Sequence, residues 1–188
     1  MKRRGVLVTF LLFASLVALP IAAPRAPRAG EEATPASVKA AFPTAQTFTL
    51  QHRDLSQADI AAIEKASATK WSGHRDFHAY LAVGTTGGRR TQLGAATVAE
   101  NVRGAGDVTI AYDNDLKITK VAASKSGSDA TSSGFLGQFV GKSHDDPMKL
   151  GQDIKYSGSD RATAAATTDA VRRATHTMER LYGKPHAH

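Results

Sequence analysis

The chain contains no cysteine among its 188 residues. That excludes disulfides, thiolate metal sites, iron–sulfur clusters and c-type haem attachment. It also lacks an internal repeat. Ser, His and Asp are present without any nucleophile motif around them, so hydrolase chemistry has no support. A concentrated charge is missing too. The formal net charge of +7 falls to +4 once Lys2, Arg3 and Arg4 are set aside, and Arg25 and Arg28 belong to the same leader region. A mildly basic domain remains, without the dense basic patch that nucleic-acid binding requires.

What is present begins with a targeting pattern. Met1-Lys2-Arg3-Arg4 is a basic start, residues 6–21 are an apolar run ending near Pro20, and Ala22-Ala23 are small residues suited to cleavage. The run is short for a membrane span, and a Pro/Ala/Arg stretch follows it. Residues 1–23 therefore read as a secretory signal peptide, with an uncleaved anchor as the alternative because Pro24 disfavours cleavage after Ala23. Arg3-Arg4 also fits a twin-arginine export signal. The expected product is exported to the periplasm or cell envelope. N-terminal sequencing of the exported protein should find a start between Ala22 and Gly30. An intact Met1 in the membrane fraction would show the anchor instead.

Residues 24–41 are rich in Pro, Ala and charge and read as a flexible tether, with a folded domain over 42–183 and a disordered tail over 184–188. Ser56-Gln57-Ala58-Asp59 resembles a capping box, and Ile60 and Ile63 follow at helical spacing, predicting a helix over 56–69. Residues 77–83 alternate with a strand period, and a second strand is expected over 92–102. Residues 108–112 and 116–122 alternate again around Asp113-Asn114-Asp115, which suits a hairpin turn. Residues 124–134 read as a flexible loop by composition. Phe135, Leu136, Phe139 and Val140 fit one buried face of a short helix. The last helix is expected over 162–182, with Ala170, Val171, Ala174, Met178 and Leu181 as its apolar stripe and Gly183 ending it. The fold class that results is α+β: a single domain with an antiparallel sheet flanked by helices.

The most informative stretch is residues 135–182. It carries F-L-x-Q-F-x-G-K, then D-P-x-K-L-G-x-D-I, then Ser157-Gly158, then T-D-A-V-R-R-A. This order resembles the end of FMN-binding domains, extracytoplasmic flavin-carrying modules related to the flavin subunits of sodium-pumping quinone reductase. The resemblance implies FMN as cofactor, electron transfer near the membrane and a membrane-linked redox partner. In that family an S-G-A-T turn before the last helix grips the FMN phosphate, and in some members its Thr is esterified to it. Here Ser157 and Gly158 match, Ser159 replaces the Ala, and Asp160 replaces the Thr. Asp160 cannot form the phosphoester, so the resemblance implies non-covalent flavin. A second alignment over residues 164–167 keeps a Thr, Thr167, and loses the Gly.

A short Ser/Gly turn opening onto a helix can gather backbone N–H groups around an anion. Asp160 opposes that use. A carboxylate about 4 Å from a phosphate charge costs about 1 kcal/mol in water and more where solvent is scarce. Asp is equally suited to capping the last helix, in which case its own carboxylate fills the phosphate position and the domain is a flavin-free structural or partner-binding module of the envelope. The motif also contributes Asp153. Gln138 and Lys142 stand among apolar neighbours and are either polar contacts to a ligand or a solvated face. Phe135, Phe139 and Tyr156 either flank a flavin ring or belong to the core. The seven histidines present no ligand set: His74 and His78 are four apart at the start of a strand, where that spacing does not make a helical face.

Overall fold

A computed structural model describes residues 33–183. The signal segment, the first half of the expected tether and the tail over 184–188 lie outside the described residues. Alternating apolar residues build five strands: β1 (Thr47–Asp54), β2 (Asp76–Thr86), β3 (Arg89–Val102), β4 (Gly106–Tyr112) and β5 (Ile118–Ala123). They hydrogen-bond in chain order, each antiparallel to the next. Gly87 and Gly88, both in left-handed backbone, make the tight β2–β3 turn. At the β4–β5 turn the Asp113 carboxylate accepts from the N–H groups of Asp115 and Lys117, each at 2.9 Å.

Helix α4 (Arg161–Tyr182) packs on one face of this sheet. Val171 and Met178 are wholly buried, and Ala170 and Ala174 nearly so, against Ile110, Tyr112 and Val108. Tyr112 is enclosed, with its hydroxyl 3.3 Å from Thr175 Oγ1, and burial pushes its phenol far above the ordinary value. Leu181 joins a smaller core with Leu55, Ile60 and Ile63 beneath α2 (Gln57–Ser67). The capping box of α2 forms as expected: Asp59 N–H donates to Ser56 Oγ at 3.1 Å, and Asp59 Oδ2 accepts from Ser56 N–H at 3.2 Å. The α+β class with an antiparallel sheet and flanking helices is the observed one.

The other face of the sheet corrects the expected domain boundary. Residues 36–41, read as tether, form helix α1 (Ala36–Ala41). Its Val38 is fully buried with Phe42 against Tyr80, Ala82, Ala96 and Ala111. Thr109 Oγ1 donates to Ser37 Oγ at 2.7 Å, and Lys120 Nζ to the Ala40 carbonyl at 3.0 Å. One buried Val and one Phe outweigh the polar composition around them, since each contributes about 1.5–3 kcal/mol on burial. The expected loop over 124–134 is also more ordered than its composition suggests. Ser128 caps a 3-10 turn (Asp129–Thr131) that buries Ala130, and Ser132 caps α3 (Ser133–Leu136). Val140, expected on a buried face, is about half exposed because the backbone turns extended there after a second 3-10 turn, Gly137–Phe139.

Candidate functional site

The turn before α4 is built as a helix cap. Asp160 Oδ1 accepts from the Thr163 N–H at 3.1 Å, Ser128 Oγ donates to Asp160 Oδ2 at 3.2 Å, and the Asp160 N–H donates to Tyr156 Oη at 2.9 Å. Hydrogen bonds from Thr163, then Ser128 and the positive charge of Arg103, hold the Asp160 carboxyl below the usual range. Gly158 sits in a tight space. A Cβ there would stand 2.6 Å from Tyr156 Oη and 2.9 Å from an Asp129 carboxylate oxygen. Ser157 and Ser159 are exposed on either side. With Asp160 closing the helix end and Asp129 beside Gly158, this turn does not fit a phosphate.

Gln138, Lys142 and Asp153 are drawn together, but onto the chain itself. The Gln138 amide brackets Lys155, donating to its carbonyl at 2.9 Å and accepting from its N–H at 2.7 Å. Asp153 accepts from the N–H groups of Met148 at 3.0 Å and Lys149 at 2.7 Å, and Lys142 Nζ lies 3.0 Å from Asp153 Oδ2. Burial works to raise the Asp153 carboxyl, but the Lys149 N–H and Lys142 together overcome it and hold the value low. These three residues lock the segment between β5 and α4. Phe135 and Phe139 are core, and the Phe135 ring meets that of Tyr156 edge-on at 5.4 Å. Thr167, the alternative flavin acceptor, is fully buried on α4 with an unpartnered Oγ1, out of reach of any attaching enzyme in this conformation.

The open space lies elsewhere. A cleft of about 1040 Å³ follows the end of the sheet where β2 begins and β3 ends, with α4 as one wall. Arg103 and Arg173 line it, as do the Trp71 indole and the small residues Ala99, Ala166 and Ala170. Burial lowers the Arg173 guanidinium's pKa, with the Asp169 charge opposing, and Arg173 donates to the Lys70 carbonyl at 3.0 Å. The cleft also contains Asp76, Glu100, Asp107 and Asp169. Three of these have partners: Asp107 accepts from the Asn101 N–H, Asp169 from Arg172, and Asp76 pairs with two histidines.

That histidine pair escaped the sequence reading. His52 on β1 stands directly opposite His78 on β2 in the strand register. Asp76 Oδ2 is 3.3 Å from His52 Nδ1 and 2.9 Å from His78 Nε2. Hydrogen bonding to His78 first, and also to His52, lowers the Asp76 carboxyl. The legible signal was Asp76 and His78 at strand period two. Spacing alone does not reveal His52, because only the β1–β2 register places it opposite His78.

No protein-family model matches the chain, and no curated protein or solved structure matches it either. No helix among the described residues is long and apolar enough to cross a membrane.

Proposed function

We propose that this is an exported FMN-binding-type domain that takes the flavin non-covalently in the cleft beside α4 and serves electron transfer near the membrane with a membrane-linked partner. The observation that carries the reading is the cleft. Its volume is at the upper end of ordinary small-molecule sites, about 300–1,000 Å³, and it sets two arginines and an indole around a wall of alanines. Arg103 and Arg173 would hold the phosphate, and Trp71 would border the ring. The bound flavin supplies the one- and two-electron chemistry, while the protein supplies binding and shape. The Ser157–Asp160 turn takes no part, and the absence of a hydroxyl at position 160 leaves no phosphoester there.

Titration of FMN, followed by quenching of flavin fluorescence, tests this. Saturable binding at one flavin per chain is expected. Arg103→Ala or Arg173→Ala should weaken it by about 10–100-fold, the loss of one charge-assisted hydrogen bond. Acid precipitation should release all the flavin to the supernatant. Absence of quenching would favour the second reading, a flavin-free partner-binding module, which the closed helix end at Asp160 supports.

A further inference from the structure

We propose that His52, Asp76 and His78 form a binding site for a divalent first-row transition metal ion. The site is a product of strand register. β1 and β2 pair His52 with His78, and Asp76 lies two residues before His78, on the same face of β2. The three side chains reach one point from a rigid ladder, their ligand atoms all within 4.8 Å of one another. Among the described residues this is the one group of three His or carboxylate side chains that converges so closely.

The spacing fits a metal. A tetrahedral ion with bonds of about 2.0–2.1 Å sets its ligand atoms about 3.3 Å apart. The two distances to Asp76 Oδ2, 2.9 and 3.3 Å, are already near that value. The remaining edge, between the two ring nitrogens, lies within 4.8 Å, and the rings meet edge-on at 4.4 Å between centroids. Two imidazoles and one carboxylate form a borderline donor set. It favours zinc, cobalt, nickel, copper or ferrous iron over calcium and magnesium. Three protein ligands with side-chain exposures of 53, 49 and 27% leave a coordination position open, as in metal sites that act on a substrate rather than brace a fold. His74 lines the same cleft two residues before Asp76 but lies outside the converging group. The fold itself does not call for the trio, because exposed ion pairs contribute only about 0–1 kcal/mol. The site uses neither Arg103 nor Arg173, so it stands or falls separately from the flavin.

Zinc chloride titrated calorimetrically into the His186→Ala/His188→Ala chain tests the site without the two tail histidines. One zinc per chain is expected, and cobalt should give the visible absorption of a low-coordinate site. His52→Ala or His78→Ala should weaken zinc at least tenfold, and Asp76→Asn should alter the cobalt spectrum. Should a variant unfold, the parent decides by itself: zinc should raise its melting temperature through preferential binding to the folded state. No saturable zinc binding and no thermal shift, or zinc binding unchanged in His52→Ala/His78→Ala, would reduce the trio to a cross-strand hydrogen-bond cluster.

Discussion

Replacing Gly104 with alanine is expected to destabilise the domain by about 3 kcal/mol. Gly104 lies in the turn between β3 and β4, with φ at +73°. An alanine in left-handed backbone already costs on the order of 1 kcal/mol. The larger part is steric. A Cβ there would collide with Thr163 Oγ1 and stand 2.9 Å from both Thr163 Cβ and Cγ2. Because Thr163 Cβ is fixed to the helix backbone, the first turn of α4 must move away from the sheet. Overpacking of that kind costs about 1–3 kcal/mol. A melting temperature about 6–12 °C lower follows for a domain of this size. Thr163→Ala in the same chain should recover part of the loss, since it removes Oγ1 and Cγ2 but neither Cβ nor the backbone strain. Thermal melts by circular dichroism provide the measurement, and a drop below about 2 °C would mean that the turn and the helix are not in contact.

Asp153→Ala is expected to cost about 2–4 kcal/mol. It removes two backbone hydrogen bonds and leaves Lys142, whose side chain is only 19% exposed, without its carboxylate. Asp153→Asn should cost less, because an amide oxygen still accepts one N–H. The effect has a defined pH dependence. The folded carboxyl is held below the ordinary aspartate value, so its contribution is fully present above the unfolded value. It is lost as pH falls through the lower folded value. Urea unfolding of wild type and Asp153→Asn should therefore differ most near neutral pH, with the difference beginning to shrink near about pH 4 and closing only below the depressed folded value. Asp59, Asp76 and Asp160 are lowered too and steepen the acid decline of both proteins, which is why the difference rather than either curve isolates Asp153. A difference that persists unchanged at acid pH would assign the loss to packing alone.

Elements with local chemistry were legible in the sequence. The Asp113 turn specifies its hairpin through its own carboxylate, the Ser56–Asp59 pair starts α2, and the alanine-rich stripe of α4 needs only one apolar face. Elements whose stability comes from distant partners were not. Strand β1 has only Phe48 and Leu50 as apolar residues on its inner face, and its pairing is decided by β2. Helix α1 is six residues long, and Val38 is its one buried residue within a polar stretch. The candidate site follows the same division. Asp160 was legible as a helix cap. Gln138 and Lys142 were legible as polar groups among apolar neighbours and Asp153 as part of the motif, but none as an internal lock, because the partners of Gln138 and Asp153 are largely backbone groups with no sequence signature. The His52–Asp76–His78 trio required the strand register.

The most direct test of the proposed function is amide chemical-shift mapping of the isotopically labelled domain during FMN addition. The expected result is a saturable set of shifts at Ala99, Arg103, Ala166, Ala170 and Arg173, with residues 157–160 little affected. Shifts centred on residues 157–163 would return the phosphate to the turn before α4. No shifts at saturating FMN would remove flavin from this domain altogether.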